Sequence, residues 1–395
     1  MNLITSWIKR KRFVLLVSLF NVFVLTILTY ILNNQPVFTG EDLNHFAWMQ
    51  ILKNKLGIEE ETIKKDVLFV NVANDKQLTD LYDEYGMSIG NTDITDRNKL
   101  LEILKMLHST KKYAYIFLDI RFEKGYYVPE TDSLLYAEIK NMENIVIANH
   151  SDMVIADSSL LSKAAISDYK STIVATNFVR YKFSYDGIPS MPLYAYREIT
   201  KQNINKHYFI YTCNGKVCYN SLFVDFPVED FNEYDSNNKK IYYNLGSDLL
   251  ENYTEQDIAT LTNNKYVVIG DMVEDLHDTY SGLKPGSVIT FYAFRSLMEG
   301  KHFVNIWIIL LMAIVYFTIS IVQFGHQSIF ERIPFVHKSN SKLLHFTLSL
   351  VEYTLLLILV VGILDLIWGI STSILLPSIY FAIQKTIINY KRTIV

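Results

Sequence analysis

The sequence contains only two cysteines among its 395 residues. Two cysteines are too few for a disulfide-rich scaffold or for a four-cysteine zinc site. Positive charge is scarce as well, because 37 Lys and Arg residues face 41 Asp and Glu residues and leave a net charge of -4. Without an excess of basic residues to hold phosphates, we expect no nucleic acid among the partners.

Sequence patterns for catalysis and cofactor binding are also lacking. The chain has no P-loop, no dinucleotide-binding glycine pattern and no Gly-x-Ser-x-Gly turn. His150, Ser151 and Asp152 are the residue types of a nucleophilic triad, but neighbours in sequence do not supply triad geometry, and an ordinary polar turn is the better interpretation. We therefore expect no catalytic residue, no cofactor, no metal centre and no enzymatic activity.

Long uncharged runs, in contrast, are abundant in a chain that is 50% hydrophobic and only 20% charged. Residues 13–32 and 303–324 each form a run long enough to cross about 30 Å of hydrocarbon as a helix. A third apolar stretch is too long for one span and is interrupted near Asp365, which predicts two spans, 343–364 and 367–384. The sequence thus predicts four transmembrane helices in a lipid bilayer.

The first apolar run has an alternative interpretation as a cleaved signal peptide, because the basic residues 9–12 precede it. The run is longer than the usual apolar core of a signal peptide, and no small-x-small cleavage site follows it. A membrane span is therefore the preferred interpretation.

Basic residues beside the spans predict the orientation in the membrane. They are Lys9, Arg10, Lys11, Arg12, Arg332, Lys338, Lys342, Lys385, Lys391 and Arg392. Because short flanking segments rich in Lys and Arg stay in the cytoplasm, we expect a cytoplasmic N-terminus (1–12), loop (325–342) and tail (385–395). Residues 33–302 are then extracytoplasmic, and the protein is a multi-pass protein of a bacterial inner (cytoplasmic) membrane.

The segment 33–302 has the pattern of an α/β domain. Short, nearly continuous apolar runs at 66–73, 113–120, 144–148 and 265–270 are typical of strands buried on both faces. Helical spacing predicts helices at 41–56, 95–107 (with Thr95 as the N-cap), 133–141 and 288–299. A Tyr-rich section with period-two spacing, 171–244, indicates antiparallel pairing. The expected sheet is mixed and largely parallel, with this antiparallel part.

The loop after strand 265–270 concentrates candidate ligand-binding side chains. They are Asp271, Glu274, Asp275, His277 and Asp278. Open α/β sheets bind ligands at the carboxyl ends of their strands, where Asp119 also falls. The spacing is not that of an EF-hand, so a solvated loop remains the competing interpretation.

Cys213 and Cys218 flank a turn signal between two strand-like runs. If Gly215 and Lys216 form a two-residue loop, the cysteines lie opposite each other, where Cβ atoms are closest. In an oxidising compartment this arrangement favours a disulfide over two free thiols.

The predicted third span contains Glu352 near its middle and Asp365 near its outer end. An acid inside a membrane is costly and usually faces a partner or a cavity, which makes Glu352 a functional candidate. The alternative is a protonated carboxyl that is hydrogen-bonded within the bundle, for example to Thr354 or Tyr380.

Dispersed motifs make the chain similar to the second type of CHASE domain, the extracytoplasmic sensory domain of bacterial cyclases, histidine kinases and Ser/Thr kinases. The matching pieces are 66–70 (DVLFV), 117–122 (FLDIRF), 186–187 (DG), 268–270 (VIG), 278–279 (DT) and 285–288 (PGSV). The resemblance, over about residues 36–390, implies a sensory domain followed by three membrane helices. The chain departs from the family pattern at 189–191 and at Tyr292. We expect no output domain after residue 385.

These observations favour a sensor that relays an envelope signal to a protein partner or within a homo-oligomer, with a ligand that the sequence does not identify. A structural or assembly subunit without a ligand is the main alternative. An envelope enzyme that uses the acidic loop is a third, less favoured hypothesis, because no catalytic constellation supports it.

Overall fold

The computed structural model describes residues 2–34, 48–49, 52–53, 55–56, 66–82, 85, 87–124, 128–150, 152, 154–168, 180–224, 226, 231–235, 238–279, 281–325, 341–368 and 374–394. The chain forms two compact units. The α/β unit comprises Glu60–Ser171 and Thr176–Phe303, and the helical unit comprises Met1–Glu59, Thr172–Ala175 and Val304–Val395.

Most strands of the α/β unit are short. They are β1 (Val67–Asn71), β2 (Lys76–Tyr82), β3 (Ser88–Thr95), β4 (Tyr115–Asp119), β5 (Ile145–Asn149), β6 (Ala164–Ile166), β7 (Arg180–Lys182), β8 (Ser184–Tyr185), β9 (Ile188–Pro189), β10 (Ile204–His207), β11 (Ile210–Cys213), β12 (Lys216–Cys218), β13 (Ser221–Phe223), β14 (Tyr242–Asn244), β15 (Tyr266–Gly270), β16 (Leu276–Thr279) and β17 (Gly282–Pro285).

The α-helices of both units are numbered together in chain order. They are α1 (Asn2–Asn33), α2 (Arg97–Thr110), α3 (Pro129–Asn141), α4 (Met191–Thr200), α5 (Glu255–Leu261), α6 (Gly286–Met298), α7 (Ile306–Gly325), α8 (Lys342–Trp368) and α9 (Leu375–Ile394). A 3-10 helix (Ser158–Ser162) and a π-helix (Leu245–Leu250) complete the described helical turns.

A six-stranded parallel sheet in the order β14-β1-β15-β4-β5-β6 forms the centre of the α/β unit. Its strands are almost continuously apolar because both faces are covered. Helices α2, α3 and α5 cover one face, where Leu104 and Ile258 are buried. Helices α4 and α6 cover the other face, where Phe117 packs against Phe291 and Phe294. The prediction of an α/β domain with a parallel sheet is confirmed.

Two predicted helix starts are wrong by a few residues. The N-cap of α2 is Asp96, whose carboxylate accepts the amides of Asn98 and Lys99, whereas Thr95 ends β3. Helix α3 begins at Pro129 instead of 133, because proline suits the first helical turn, where a backbone donor has no partner. Both errors come from end signals that compete within one turn of the helix.

The antiparallel part predicted for 171–244 is present in the described residues as three small sheets. They are β10-β11-β12, β13-β7 and β8-β9. The same section also contains helix α4, for which the Tyr-rich pattern gave little signal. A hairpin that the sequence did not predict, β2-β3, precedes α2.

Three helices in the described residues are long and apolar enough to cross a membrane: Lys11–Asn33, Ile306–Phe324 and Lys342–Leu366. Helix α9, at the predicted fourth span, is not one of them, and residues 369–373 before it lie outside the described residues. The same holds for most of the predicted helix 41–56 and for 326–340 of the predicted loop. The membrane helices are thus supported, and the count of four stays a prediction.

A hydrogen-bonded polar cluster joins α1, α7 and α9 inside the helical unit. The Asn21 amide donates to Ser320 Oγ at 2.7 Å and to Gln384 Oε1 at 2.9 Å. Asn21 Oδ1 accepts from Tyr380 Oη and Gln384 Nε2, both at 2.8 Å. Buried polar groups are tolerated in an apolar bundle when they satisfy one another, as these four do.

Replacing Asn21 with Leu should therefore destabilise the helical unit. The buried Ser320 and the partly buried Tyr380 and Gln384 would lose a shared partner, which costs about 1–3 kcal/mol for each buried group left unsatisfied. The melting temperature of the full-length protein in detergent should fall by several degrees. Thr318→Val is the matched control, because the exposed Thr318 hydroxyl bonds to Ile314 O in its own helix. An equal fall in both variants would contradict the role of the cluster.

Candidate functional site

The carboxyl ends of three adjacent strands, β4, β5 and β6, bring polar side chains together. Ser167, the residue after β6, donates from Oγ to Asp119 Oδ1 at 3.1 Å at the end of β4. His150, the residue after β5, lies with Nδ1 3.2 Å from Asp168 Oδ1. This edge is where an open α/β sheet binds ligands, as expected for Asp119.

Asp119 is an acid at this edge whose pKa is strongly raised. Burial raises its pKa to about 6, and the nearby Asp275 carboxylate adds to the increase. His150, the hydrogen bond from Ser167, and His277 oppose the increase. We call these five residues, Asp119, His150, Ser167, Asp275 and His277, the carboxyl-edge cluster.

The acidic loop that the sequence singled out divides between two roles. Asp271 accepts the amides of Val273 at 3.0 Å and Glu274 at 2.7 Å, and Lys76 Nζ at 3.1 Å. Burial would raise the Asp271 pKa, but these hydrogen bonds together lower it. Asp271 stabilises a turn through these hydrogen bonds, and Glu274 Oε2 lies 3.7 Å from Lys76 Nζ. Both acids therefore stabilise the structure of the loop itself.

The second half of the loop forms the β16-β17 hairpin and contributes to the cluster. His277 Nε2 lies 3.1 Å from Asp275 Oδ1. In the register of the hairpin, His277 lies opposite the buried Lys284, whereas Asp278 lies opposite Leu283 and is exposed. Since neighbouring side chains on a strand point to opposite faces, Asp278 lies on the other face from His277. Of the predicted ligand candidates, the structure groups Asp119, Asp275 and His277, and leaves out the rest.

Helix α6 begins at the same edge of the sheet. A Cβ atom on Gly270 would lie 2.8 Å from Ser287 Cβ and 3.3 Å from Asp119 Cβ, so glycine lets the first turn of α6 approach the end of β15. The N-terminal end of a helix carries partial positive charge. A change of charge at Asp119 would therefore act on the start of α6.

The segment after α6 is fixed to the α/β unit. Gly300 ends the helix at φ +73°, with its amide donating to Leu297 O at 3.0 Å. The Tyr219 amide donates to His302 O at 2.7 Å, and Phe303 forms a β-bridge with Cys218. We call residues 299–303 the exit segment. Gly300 thus terminates the helix, and the backbone bonds that follow hold the chain in place.

The exit segment buries an imidazole. His302 is completely buried, with its ring centroid 5.3 Å from the ring of Tyr196 and 4.1 Å from that of Phe303. Burial lowers its pKa to about 4, against a smaller opposite effect of the Leu297 backbone. The histidine is therefore neutral at neutral pH.

The predicted Cys213–Cys218 disulfide is wrong, because the structure contains both cysteines as buried residues that no disulfide joins. The two-residue loop is Asn214-Gly215 with φ of 49° and 75°, and not Gly215-Lys216. This Asn-Gly turn places Cys213 opposite Lys216 and Cys218 opposite Tyr211, so the cysteines are diagonal neighbours. Burial raises the pKa of Cys218 to about 12, which disfavours the reactive thiolate.

The two intramembrane acids lie in α8. Asp365 is completely buried and forms an ion pair with Lys53, with Nζ 2.9 Å from Oδ1. Glu352 is partly buried in the middle of the helix. The Tyr380 hydroxyl, proposed from the sequence as a partner for Glu352, instead donates to Asn21.

The sequence missed Ser167, Asp168 and Lys284 as neighbours of the site. Ser167 and Asp168 follow β6, a strand of three residues that is too short for a periodicity signal. Lys284 lies on a hairpin strand of four residues, and only pairing with His277 reveals its position. In the described ranges no group of three or more His, Cys, Asp or Glu side chains has an arrangement that would hold a metal ion.

Comparisons of the chain with protein-family models, with curated proteins and with solved structures found no match. The chemistry of the site therefore carries the functional argument. Carboxylates that accept hydrogen bonds and imidazoles that donate or accept them, at the ligand-binding edge of a sheet, suit a small polar molecule better than an apolar one.

Proposed function

We propose that the protein is a multi-pass protein of a bacterial inner membrane that senses a small polar molecule and relays its presence to a protein partner. The supporting observation is the course of α6. This helix begins beside Gly270 and beside Asp119 of the carboxyl-edge cluster, and the exit segment joins its far end to α7, a membrane-spanning candidate.

The proposed topology has four spans, with residues 33–302 outside the cytoplasm. The basic residues on the flanks support the orientation. The hydrogen bonds that Asn21 accepts from Tyr380 and donates to Gln384 support α9 as the fourth span, because they give its polar side chains partners within the bundle. The motifs similar to CHASE domains fit the same arrangement.

Isolation of the native protein with its associated molecules tests the sensing function. Small molecules extracted from the full-length protein, purified from its own membranes, are compared among wild type, Asp119→Asn and the matched control Asp278→Asn. We expect a small polar molecule that co-purifies with wild type and Asp278→Asn and is depleted in Asp119→Asn. The absence of any such molecule from all three proteins would reject ligand sensing and favour the structural-subunit alternative.

The relay is tested separately by lengthening the exit segment. Four glycines inserted after Gly300 should leave the ligand bound but change cross-linking to the partner, because they release α6 from the chain that enters α7. The same insertion after Asn238, a loop residue elsewhere in the α/β unit, is the matched control. Identical partner cross-links in both insertion variants and wild type would make the exit segment a passive tether.

A further inference from the structure

The β2-β3 hairpin presents large apolar side chains to solvent. They are Leu78, Tyr85, Met87 and Ile89, with Tyr85 80% exposed. The sequence of this hairpin also holds four acids, Asp80, Asp83, Glu84 and Asp93, against the single base Lys76. We call residues 76–95 the acidic hairpin. An exposed group of apolar side chains edged by charge is typical of a protein-binding surface.

A second exposed surface has the opposite charge. We call residues 201–217, which include β10, β11 and the first two residues of β12, the basic hairpin. They hold Lys201, Lys206, His207 and Lys216 and no acid. Their side chains are exposed, as are those of Tyr208, Phe209 and Val217. The two surfaces therefore combine the same apolar character with complementary charge.

The tip of the basic hairpin carries a conformational cost. Tyr208 adopts φ of 56° in the two-residue turn and is 95% exposed. A bulky residue in this left-handed region is unfavourable where glycine or asparagine would be at ease. Strained residues of this kind cluster at ligand-binding and switch regions of proteins, which makes the exposed ring of Tyr208 a candidate contact.

We propose that the acidic hairpin of one molecule docks on the basic hairpin of a second copy. Within one chain the two hairpins do not cover each other, because Ile89, Tyr85, Tyr208 and Phe209 are all exposed. A second copy supplies the complementary surface at the same concentration and in the same membrane. Opposed charges fix the register, and the burial of aromatic and aliphatic side chains stabilises the contact.

The contact joins two different surfaces, and each molecule has both an acidic hairpin and a basic hairpin. Such a heterologous contact closes into a pair only if both contacts form reciprocally, and otherwise it extends to a ring or a row. The inference concerns assembly and does not depend on whether the carboxyl-edge cluster binds a ligand.

Photo-cross-linking of the full-length protein in its own membrane tests the contact. A benzoylphenylalanine in place of Ile89 should give, on irradiation, an adduct of two copies whose cross-linked peptide comes from residues 201–217. The same probe in place of Leu134, an exposed residue of α3, is the matched control and should give no adduct with that peptide.

Charge reversal makes the test specific. Lys206→Glu with Lys216→Glu should lower the yield of the adduct by at least about fivefold, because several opposed charge pairs become repulsive. Co-expression with a copy carrying Asp80→Lys and Asp93→Lys should restore the adduct between the two variants. Lys105→Glu with Lys112→Glu makes the same change in net charge on other exposed lysines and should leave the yield unchanged.

Restoration by the second reversal excludes misfolding as the cause of the loss. An adduct of the Ile89 probe with lipid or with a different protein would overturn the proposal. So would a two-copy adduct that maps outside residues 201–217, the absence of any two-copy adduct, or a yield that does not respond to charge reversal.

Discussion

Replacing His302 with Phe should make the α/β unit more resistant to acid, because it removes one group whose protonation favours the unfolded state. The folded-state pKa of this buried imidazole is about 4, below the value of about 6.5 for an exposed histidine. Between these values the unfolded chain binds a proton that the folded chain does not. The contribution of His302 is therefore complete above pH 6.5 and falls by up to about 3 kcal/mol as the pH drops to 4.

Chemical denaturation of the full-length protein in nanodiscs, at pH values from 4 to 8, measures this effect. Phe keeps an aromatic ring next to Tyr196 and Phe303 but has no group to protonate. The difference in unfolding free energy between variant and wild type should therefore shift in favour of the variant as the pH falls from 7 to 4. His207→Phe is the matched control, because His207 is exposed in the basic hairpin. The interpretation fails if His302→Phe has the same pH profile as wild type.

Replacing Asp119 with Asn should have the opposite dependence on pH. The folded-state pKa of Asp119 is raised to about 6 from 3.8, so the folded state binds the proton more tightly than the unfolded state. The wild-type carboxylate thus lowers stability at neutral pH, and this cost disappears as the pH falls from 6 to 4. The amide is neutral throughout and still accepts the Ser167 hydrogen bond, so the variant should gain about 3 kcal/mol at pH 7.

The same denaturation series checks this gain. Asp278→Asn is the control, because Asp278 is an exposed acid of the β16-β17 hairpin. At pH 4 the Asp119→Asn variant should approach wild type. A loss of stability at pH 7 would show that the carboxylate has a stabilising partner that outweighs its burial. In wild type the opposite slopes from Asp119 and His302 offset each other, and the double variant should therefore resemble wild type in its response to acid.

The central strands were predictable because a strand covered on both faces has to be apolar throughout, as β1, β4, β5 and β15 are. Helix ends and turns were less predictable, because they depend on competition between close neighbours. Asp96 displaced Thr95 as the cap of α2, and the Asn214-Gly215 turn shifted the hairpin by one residue, which removed the expected pairing of the cysteines.

The candidate site was only partly predictable, since proximity at the edge of a sheet depends on strand order. The residues that follow a long apolar strand, such as Asp119, could be placed from the sequence. Ser167 follows a strand of only three residues, and its contact with Asp119 depends on β6 lying beyond β5 in the sheet. The β2-β3 hairpin gave no signal because its exposed apolar residues do not alternate toward a core.

The position of β15 has a consequence for biosynthesis. This strand is the last of the six to be translated, yet it lies between β1 and β4, two of the earliest. Until residues 266–270 leave the ribosome, β1 and β4 cannot acquire their common neighbour, and each retains an open apolar edge. The sheet is thus completed only shortly before α7 is made, so folding of the unit coincides with insertion of the next membrane helix.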